Sequence, residues 1–107
     1  MKSFNGRVAA ITGAASGMGR ALALALAREG CHLALADKNS QGLEQTLALI
    51  RTSTLSPVTV TTQVLDVSDR QAMLDWAARC AAEHGQVNLV FNNAGVALSS
   101  TVEGVDY

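Results

Sequence analysis

Charge of one sign is what this sequence has least of. Its 8 basic and 9 acidic side chains leave a formal net charge of −1 and are scattered along the chain. With no basic stripe to track a phosphate backbone, nucleic acid is not an expected partner. Long hydrophobic runs are missing too. The longest strongly apolar segment, Ala21 to Ala27, is far below the roughly 20 residues of a membrane span, so no membrane association is expected. The first residues, Met1 to Arg7, lack the apolar stretch and small-residue cleavage site of a signal peptide. Cysteine is scarce: Cys31 and Cys80 stand far apart, with no CxxC or metal-ligand spacing. They read as two reduced, partly buried thiols, with no metal site and a cytoplasmic location. Proline occurs once, at Pro57, and the chain has no repeat, linker or low-complexity tract. One small domain in 107 residues is the expectation.

What the chain does have is apolar residues, 49% of the total, with a mean hydropathy of +0.21. So much apolar content in so short a chain points to a core that continues in further sequence. Strand-like and helix-like patterns alternate throughout. Arg7 to Thr12 is a short β-branched run ending at a glycine-rich turn. Gly17 to Glu29 is rich in alanine and leucine and closes at Gly30, a helix with its stop signal. Cys31 to Ala36 is a second strand. A second helix runs from Ser40 to about Thr52, with Leu43, Leu47 and Ile50 on one face. Val58 to Leu65 is a third strand. Ser68 opens a third helix with Gln71 as its capping-box partner, and His84-Gly85 ends it. Val87 to Phe91 is a fourth strand. Near-continuous apolar strands suit a parallel sheet covered on both faces, so the fold class is α/β, a doubly wound parallel sheet.

Thr12-Gly13-Ala14-Ala15-Ser16-Gly17-Met18-Gly19 falls between the first strand and the first helix. Glycines here permit positive φ and a close approach of backbone to a ligand. The first helical turn offers unpaired N–H groups and the positive end of the helix dipole, which suit a pyrophosphate, and Ser16 adds a hydroxyl. A helix-entry turn also uses glycine for geometry alone. The spacing is G-x-x-x-G-x-G, unlike the common G-x-G-x-x-G dinucleotide fingerprint. Asn92-Asn93-Ala94-Gly95 follows the fourth strand and Asp66-Val67 closes the third.

These three motifs, in this order and each at the end of a strand, resemble those of the short-chain dehydrogenase/reductases. The resemblance covers nearly the whole chain. It implies a Rossmann-type sheet of strand order 3-2-1-4, with residues 1–107 as the NAD(P)-binding N-terminal half of a longer single-domain enzyme. Gly13, Ser16, Gly17, Met18 and Gly19 would surround the pyrophosphate and the adjacent ribose, mainly through backbone. Asp66 would approach the adenine amino group, with the Val67 main chain beside the ring, unless Asp66 serves only to lead into the next helix. Asn93, Ala94 and Gly95 would line the inner ribose, or Asn93 would tie neighbouring strands together.

Asp37 ends the second strand about 20 residues beyond the glycine turn, where an acid can bind the adenosine ribose hydroxyls. It would also repel the extra phosphate of NADP; otherwise it is a solvated loop acid. Lys38 could offset that repulsion, but no Arg or Lys stands among Ala14, Ala15 and Ser16, where NADP-using relatives often carry one. NAD is therefore expected over NADP. The family implies hydride transfer to or from an alcohol or carbonyl substrate by a homo-oligomer, using a tyrosine, a lysine four residues further on, and an upstream serine. None of the three can be assigned. Tyr107 is the last residue, and Ser99 and Ser100 come too early. The 107-residue chain alone is expected to be an inactive fragment of an oxidoreductase; a non-catalytic nucleotide-binding or regulatory module is the alternative. His32 and His84 read as structural, and Trp76, with Met73 and Cys80, as core.

Overall fold

The computed structural model describes residues 4–53 and 57–93. Strands and helices alternate as β1 (Val8–Thr12), α1 (Gly17–Arg28), β2 (His32–Asp37), α2 (Ser40–Ser53), β3 (Val60–Val64), α3 (Arg70–His84) and β4 (Leu89–Asn92). All strand pairs are parallel, in the order β3-β2-β1-β4. Each connection passes through a helix or a return crossover, as parallel neighbours require. The Rossmann-type doubly wound sheet expected from the sequence is the one observed.

Alternate residues of a strand point to opposite faces, and the sheet sorts them by size. Ala9, Ile11, Leu33 and Leu35 join Ala23, Leu26, Ala27, Leu43 and Ile50 in one core beneath α1 and α2. Burying each of the large side chains there contributes about 1.5–3 kcal/mol. Ala10, Ala34 and Ala36 face the other way, where their small size leaves room for Trp76 and Cys80 of α3. Trp76, Met73 and Cys80 do pack together as core.

Three local readings need correction. On α2 the buried stripe is Leu43, Thr46 and Ile50, with Leu47 only half-buried, because Thr46 finds polar partners under the glycine turn. Ser68 does not cap α3. Its hydroxyl and N–H both donate to Asp66 Oδ1, at 2.8 and 2.9 Å, so Asp69 takes the cap and accepts Ala72 N–H at 3.0 Å. Gln71 donates instead to Asp75 Oδ1, one turn on, at 2.9 Å. The predicted strand bounds also slip by one to two residues, as hydrogen-bonded ends do.

Cys31 and Cys80 are free and buried. Burial pushes the Cys31 thiol up to about 11 and raises that of Cys80, so neither is a ready nucleophile. Among the described residues no group of His, Cys, Asp or Glu is arranged to hold a metal ion, and no helix is long and apolar enough to cross a membrane.

His32 Nδ1 accepts Thr59 N–H at 2.9 Å, and His84 Nε2 shares a 2.9 Å hydrogen bond with Thr61. Both imidazoles brace β3. Burial lowers the His84 pKa, with a smaller contribution in the same direction from His32 and an opposing one from Glu83. The folded state therefore binds the proton less readily than the unfolded chain. Stability contributed by neutral His84 is complete above the ordinary histidine pKa and is lost as pH falls through the lowered one. We expect the melting temperature to fall as pH drops below 6.5, and His84→Gln to flatten that part of the profile. Thermal melts across this range check it; an equal slope in the variant would remove His84 as the cause.

Candidate functional site

The register places the strand ends side by side: Thr12 lies between Ala36 and Asn92, and Asp37 stands opposite Val64. The loops that leave these carboxyl ends carry Gly13, Asp37, Asp66 and Asn93 to one edge of the sheet, where open α/β sheets bind their ligands.

The glycine turn is built for an uncapped helix start. Ser16 is the N-cap of α1, in extended backbone, yet its side chain makes no capping bond, and the first turn holds no acid. The N–H groups at this helix end are thus not paired by the cap and are available to solvent or a ligand. Gly17 has φ +58°, and a Cβ there would meet nothing within 4 Å. The positive φ is by itself a geometric reason for glycine, and the missing side chain also leaves open space beside the helix start. Gly19 is different: a Cβ would lie 2.0 Å from the Gly13 carbonyl oxygen, so this glycine lets α1 sit directly on the turn. Gly13 supplies the turn's other positive φ, +68°. The Met18 side chain is 77% exposed, and only its backbone belongs to the turn.

Behind the turn lies a polar cluster that the sequence did not single out. Thr46, fully buried, donates to Ala14 O at 2.8 Å and accepts Arg20 Nε–H at 2.9 Å. The Arg20 guanidinium also donates to Ala15 O, to Gly42 O at 3.1 Å and to Gln45 Oε1 at 3.2 Å. Gly42 is pressed against the turn, since a Cβ there would lie 2.6 Å from that of Ala15. Asn39 caps α2 by accepting Gly42 N–H at 3.0 Å. A threonine inside an apolar helical stripe was the available sequence signal.

Asp37 is half-buried, not a solvated loop acid. Its Oδ2 accepts Ala15 N–H and its Oδ1 accepts Asn39 N–H, each at 3.0 Å. Asp66 is exposed, and both Ser68 bonds fall on Oδ1, leaving Oδ2 without a protein donor among the described residues. The Ser68 N–H, then its hydroxyl, and more weakly Lys38, hold the Asp66 carboxyl below the usual carboxylate range. Asp66 therefore does organise the approach to α3, and keeps one oxygen free while doing so. Asp37, Lys38, Leu65, Asp66 and Val67 together line a cleft of about 110 Å³.

Two other asparagines tie neighbouring strands together. Asn88 Oδ1 accepts Val8 N–H, and Asn92 Oδ1 accepts the Thr12 hydroxyl, both at 2.8 Å. The buried Asn93 Nδ2 has no partner among the described residues. Ala94 and Gly95 of the expected site lie outside the described residues, as do Ser99, Ser100 and Tyr107.

Comparison with known proteins extends the likeness beyond motifs. The family model described as short chain dehydrogenase matches residues 7–106. SadH of Mycobacterium tuberculosis is 42% identical over the whole of this chain, which spans 38% of SadH. Levodione reductase of Leifsonia aquatica is 41% identical over 87% of this chain and 34% of its own length. Among solved structures, NAD+-bound xylitol dehydrogenase superposes with a TM-score of 0.81 at 37% identity, over 88% of this chain and 35% of that one. Carveol dehydrogenase of Mycobacterium avium, in complex with NAD, gives a TM-score of 0.79 at 26% identity, over 89% and 38%. The chain spans little more than a third of the length of these relatives.

The two helix-start glycines should separate on mutation. Gly17→Val adds a side chain into open space, at the cost of about 1–2 kcal/mol for a bulky residue held at positive φ. It should weaken binding of ADP, used as a pyrophosphate probe, by more than about tenfold. Gly19→Ala should instead cost stability directly, through its collision with Gly13 O. Thermal melts and ADP titration of both variants read this out; a Gly17→Val loss of affinity no larger than its loss of stability would make that glycine a geometric residue only.

Proposed function

Since this chain belongs to the short-chain dehydrogenase family, we propose that it is the NAD-binding portion of a longer single-domain oxidoreductase acting on a small alcohol or carbonyl compound. The observation that carries the reading is Gly17: positive φ, open space where a side chain would be, and an uncapped helix start beside it. Positive φ and open space alone would also suit a structural turn; the uncapped helix start beside them is what favours a ligand. An anion suits that place, because the N–H groups and the helix dipole favour it.

The residues present fit the rest of a dinucleotide. The backbone from Gly13 to Gly19, with Ser16 Oγ, takes the pyrophosphate. The cleft between Asp37 and Val67 takes the adenine, with Asp66 Oδ2 free to accept from its amino group and the Val67 main chain beside the ring. Asn93, with its unpartnered Nδ2, is suited to the inner ribose, next to Ala94 and Gly95. Asp37 has one lone pair on each oxygen engaged by backbone N–H, and the remaining ones can accept from the ribose hydroxyls. When bound, the nicotinamide supplies the hydride donor or acceptor. This chain's own part is to hold and orient the dinucleotide at the sheet edge. The NAD in the xylitol and carveol dehydrogenase structures supports the choice of cofactor.

The same carboxylate discriminates against NADP. Two like charges about 4 Å apart repel by roughly 4 kcal/mol at an effective dielectric near 20. A third of that, after screening, is still about a tenfold preference. Lys38 and Asp66 sit beside the same cleft and moderate the field. Dissociation constants for NAD and NADP, in the native chain and in Asp37→Ala, test the assignment. NAD should bind the tighter in the native chain, and the ratio should fall toward unity in the variant. An unchanged ratio would take Asp37 out of the discriminating role. Because Asp37 also holds the Ala15 N–H, the variant loses loop order for both dinucleotides, while only NADP gains from the lost repulsion.

A further inference from the structure

Arg20 follows the last glycine of the turn and belongs to neither the sheet nor the ligand-facing surface. It lies on the far side of the turn, half-buried between α1 and α2. We propose that Arg20 is a positioning residue that aims the pyrophosphate-binding N–H groups by holding the turn's carbonyl groups from behind.

The geometry of the peptide unit carries the argument. In a trans peptide the C=O and N–H point in opposite directions, and among the described residues no peptide bond is cis. The Ala14–Ala15 unit displays this directly. Its carbonyl is held by the Thr46 hydroxyl at 2.8 Å, and its N–H, on the opposite side, reaches Asp37 at 3.0 Å. The next unit, Ala15–Ser16, has its carbonyl held by the Arg20 guanidinium. Its Ser16 N–H therefore faces away from Arg20. Fixing one end of a rigid plane fixes the other.

Arg20 is itself anchored by α2, through Gly42 O, Gln45 Oε1 and Thr46 Oγ1. The missing side chain at Gly42 is what lets α2 come this close. Nε serves Thr46 while Nη2 faces Ala15 O, Gly42 O and Gln45 Oε1, so two prongs of one planar group bridge α2 and the turn. An ammonium in its place would keep the charge and lose the fork. The cluster thus acts on the ligand through backbone orientation, without touching it. For its ligand the proposal rests on the dinucleotide reading above. For the turn it does not.

The test therefore has two readouts on the full chain. Arg20→Gln should raise the dissociation constant for ADP by about tenfold and leave that for adenosine within about twofold. Amide hydrogen exchange without ligand should speed up at Ala14 and Ala15, with the amides of Leu33 and Leu35 unchanged. Arg20→Lys should fail to restore either readout. Thr46→Val, which keeps the side chain's shape, should relax the Ala14 and Ala15 amides in the same way and stands in if Arg20→Gln does not fold. Full rescue by lysine would make Arg20 a simple charge and overturn the proposal. So would unchanged exchange at Ala14 and Ala15, or loss of protection spread evenly through β2. A native chain that binds no ADP, while the two amides still loosen in Arg20→Gln, would sink the dinucleotide reading and leave the positioning role standing.

Discussion

The N–H groups of an α-helix's first turn cannot be paired by the helix itself, and here their own N-cap does not pair them. Ser16 withholds its hydroxyl, and no acid enters the turn. Leaving those donors open makes the surrounding backbone expensive to hold, because the loop must stay in one shape with no ligand to shape it. The molecule answers by fixing the loop from the other side. Thr46 and Arg20 take its carbonyls, Asp37 takes one of its N–H groups, and Ala36 O accepts Ala14 N–H at 3.2 Å. A preorganised loop of this kind spends little of its binding free energy on ordering itself.

The two helices over that face are arranged around the same loop. Gly19 lets α1 sit on Gly13, and Gly42 lets α2 sit on Ala15. The large aliphatic residues of the sheet, Ile11, Leu33 and Leu35, then fill the space that remains beneath both helices. On the opposite face the alanines of β1 and β2 admit Trp76, and that face contributes to the edge only through the loop from Leu65 to Asp69. The sheet's two sides are thus unequal partners: one shapes the glycine turn and the other walls the neighbouring cleft.

Much of this could be read from the residues. Glycine spacing between a strand and a helix, an acid closing β2 and paired motifs after β3 and β4 led to the sheet order and to the edge that matters. What escaped were interactions decided in three dimensions. Arg20 and Thr46 lie on different helices, and nothing local says that they meet. Thr46 rather than Leu47 faces inward because a carbonyl waits for it there. Ser68 and Asp69 are both competent caps, and the choice turned on Ser68 being already bound to Asp66. Asn88 and Asn92, whose register puts them beside β1, tie strands together, while Asn93 Nδ2 has no partner among the described residues.

Ala14 and Ala15 are 0% and 2% exposed, sealed beneath α2 with their carbonyls already claimed. On the dinucleotide reading proposed above, that burial narrows the ways in which a cofactor preference could change. A long basic side chain at Ala15 would have to displace Gly42 of α2, so in this packing that position is closed to a cation. Ser16 is exposed and stays available, as do Lys38 and Asn39 beyond β2. Removing the carboxylate at position 37 loosens the loop in the same stroke. On that reading, exchange of one dinucleotide for the other would be a coupled change, in which a new donor for the phosphate and a replacement acceptor for Ala15 arrive together.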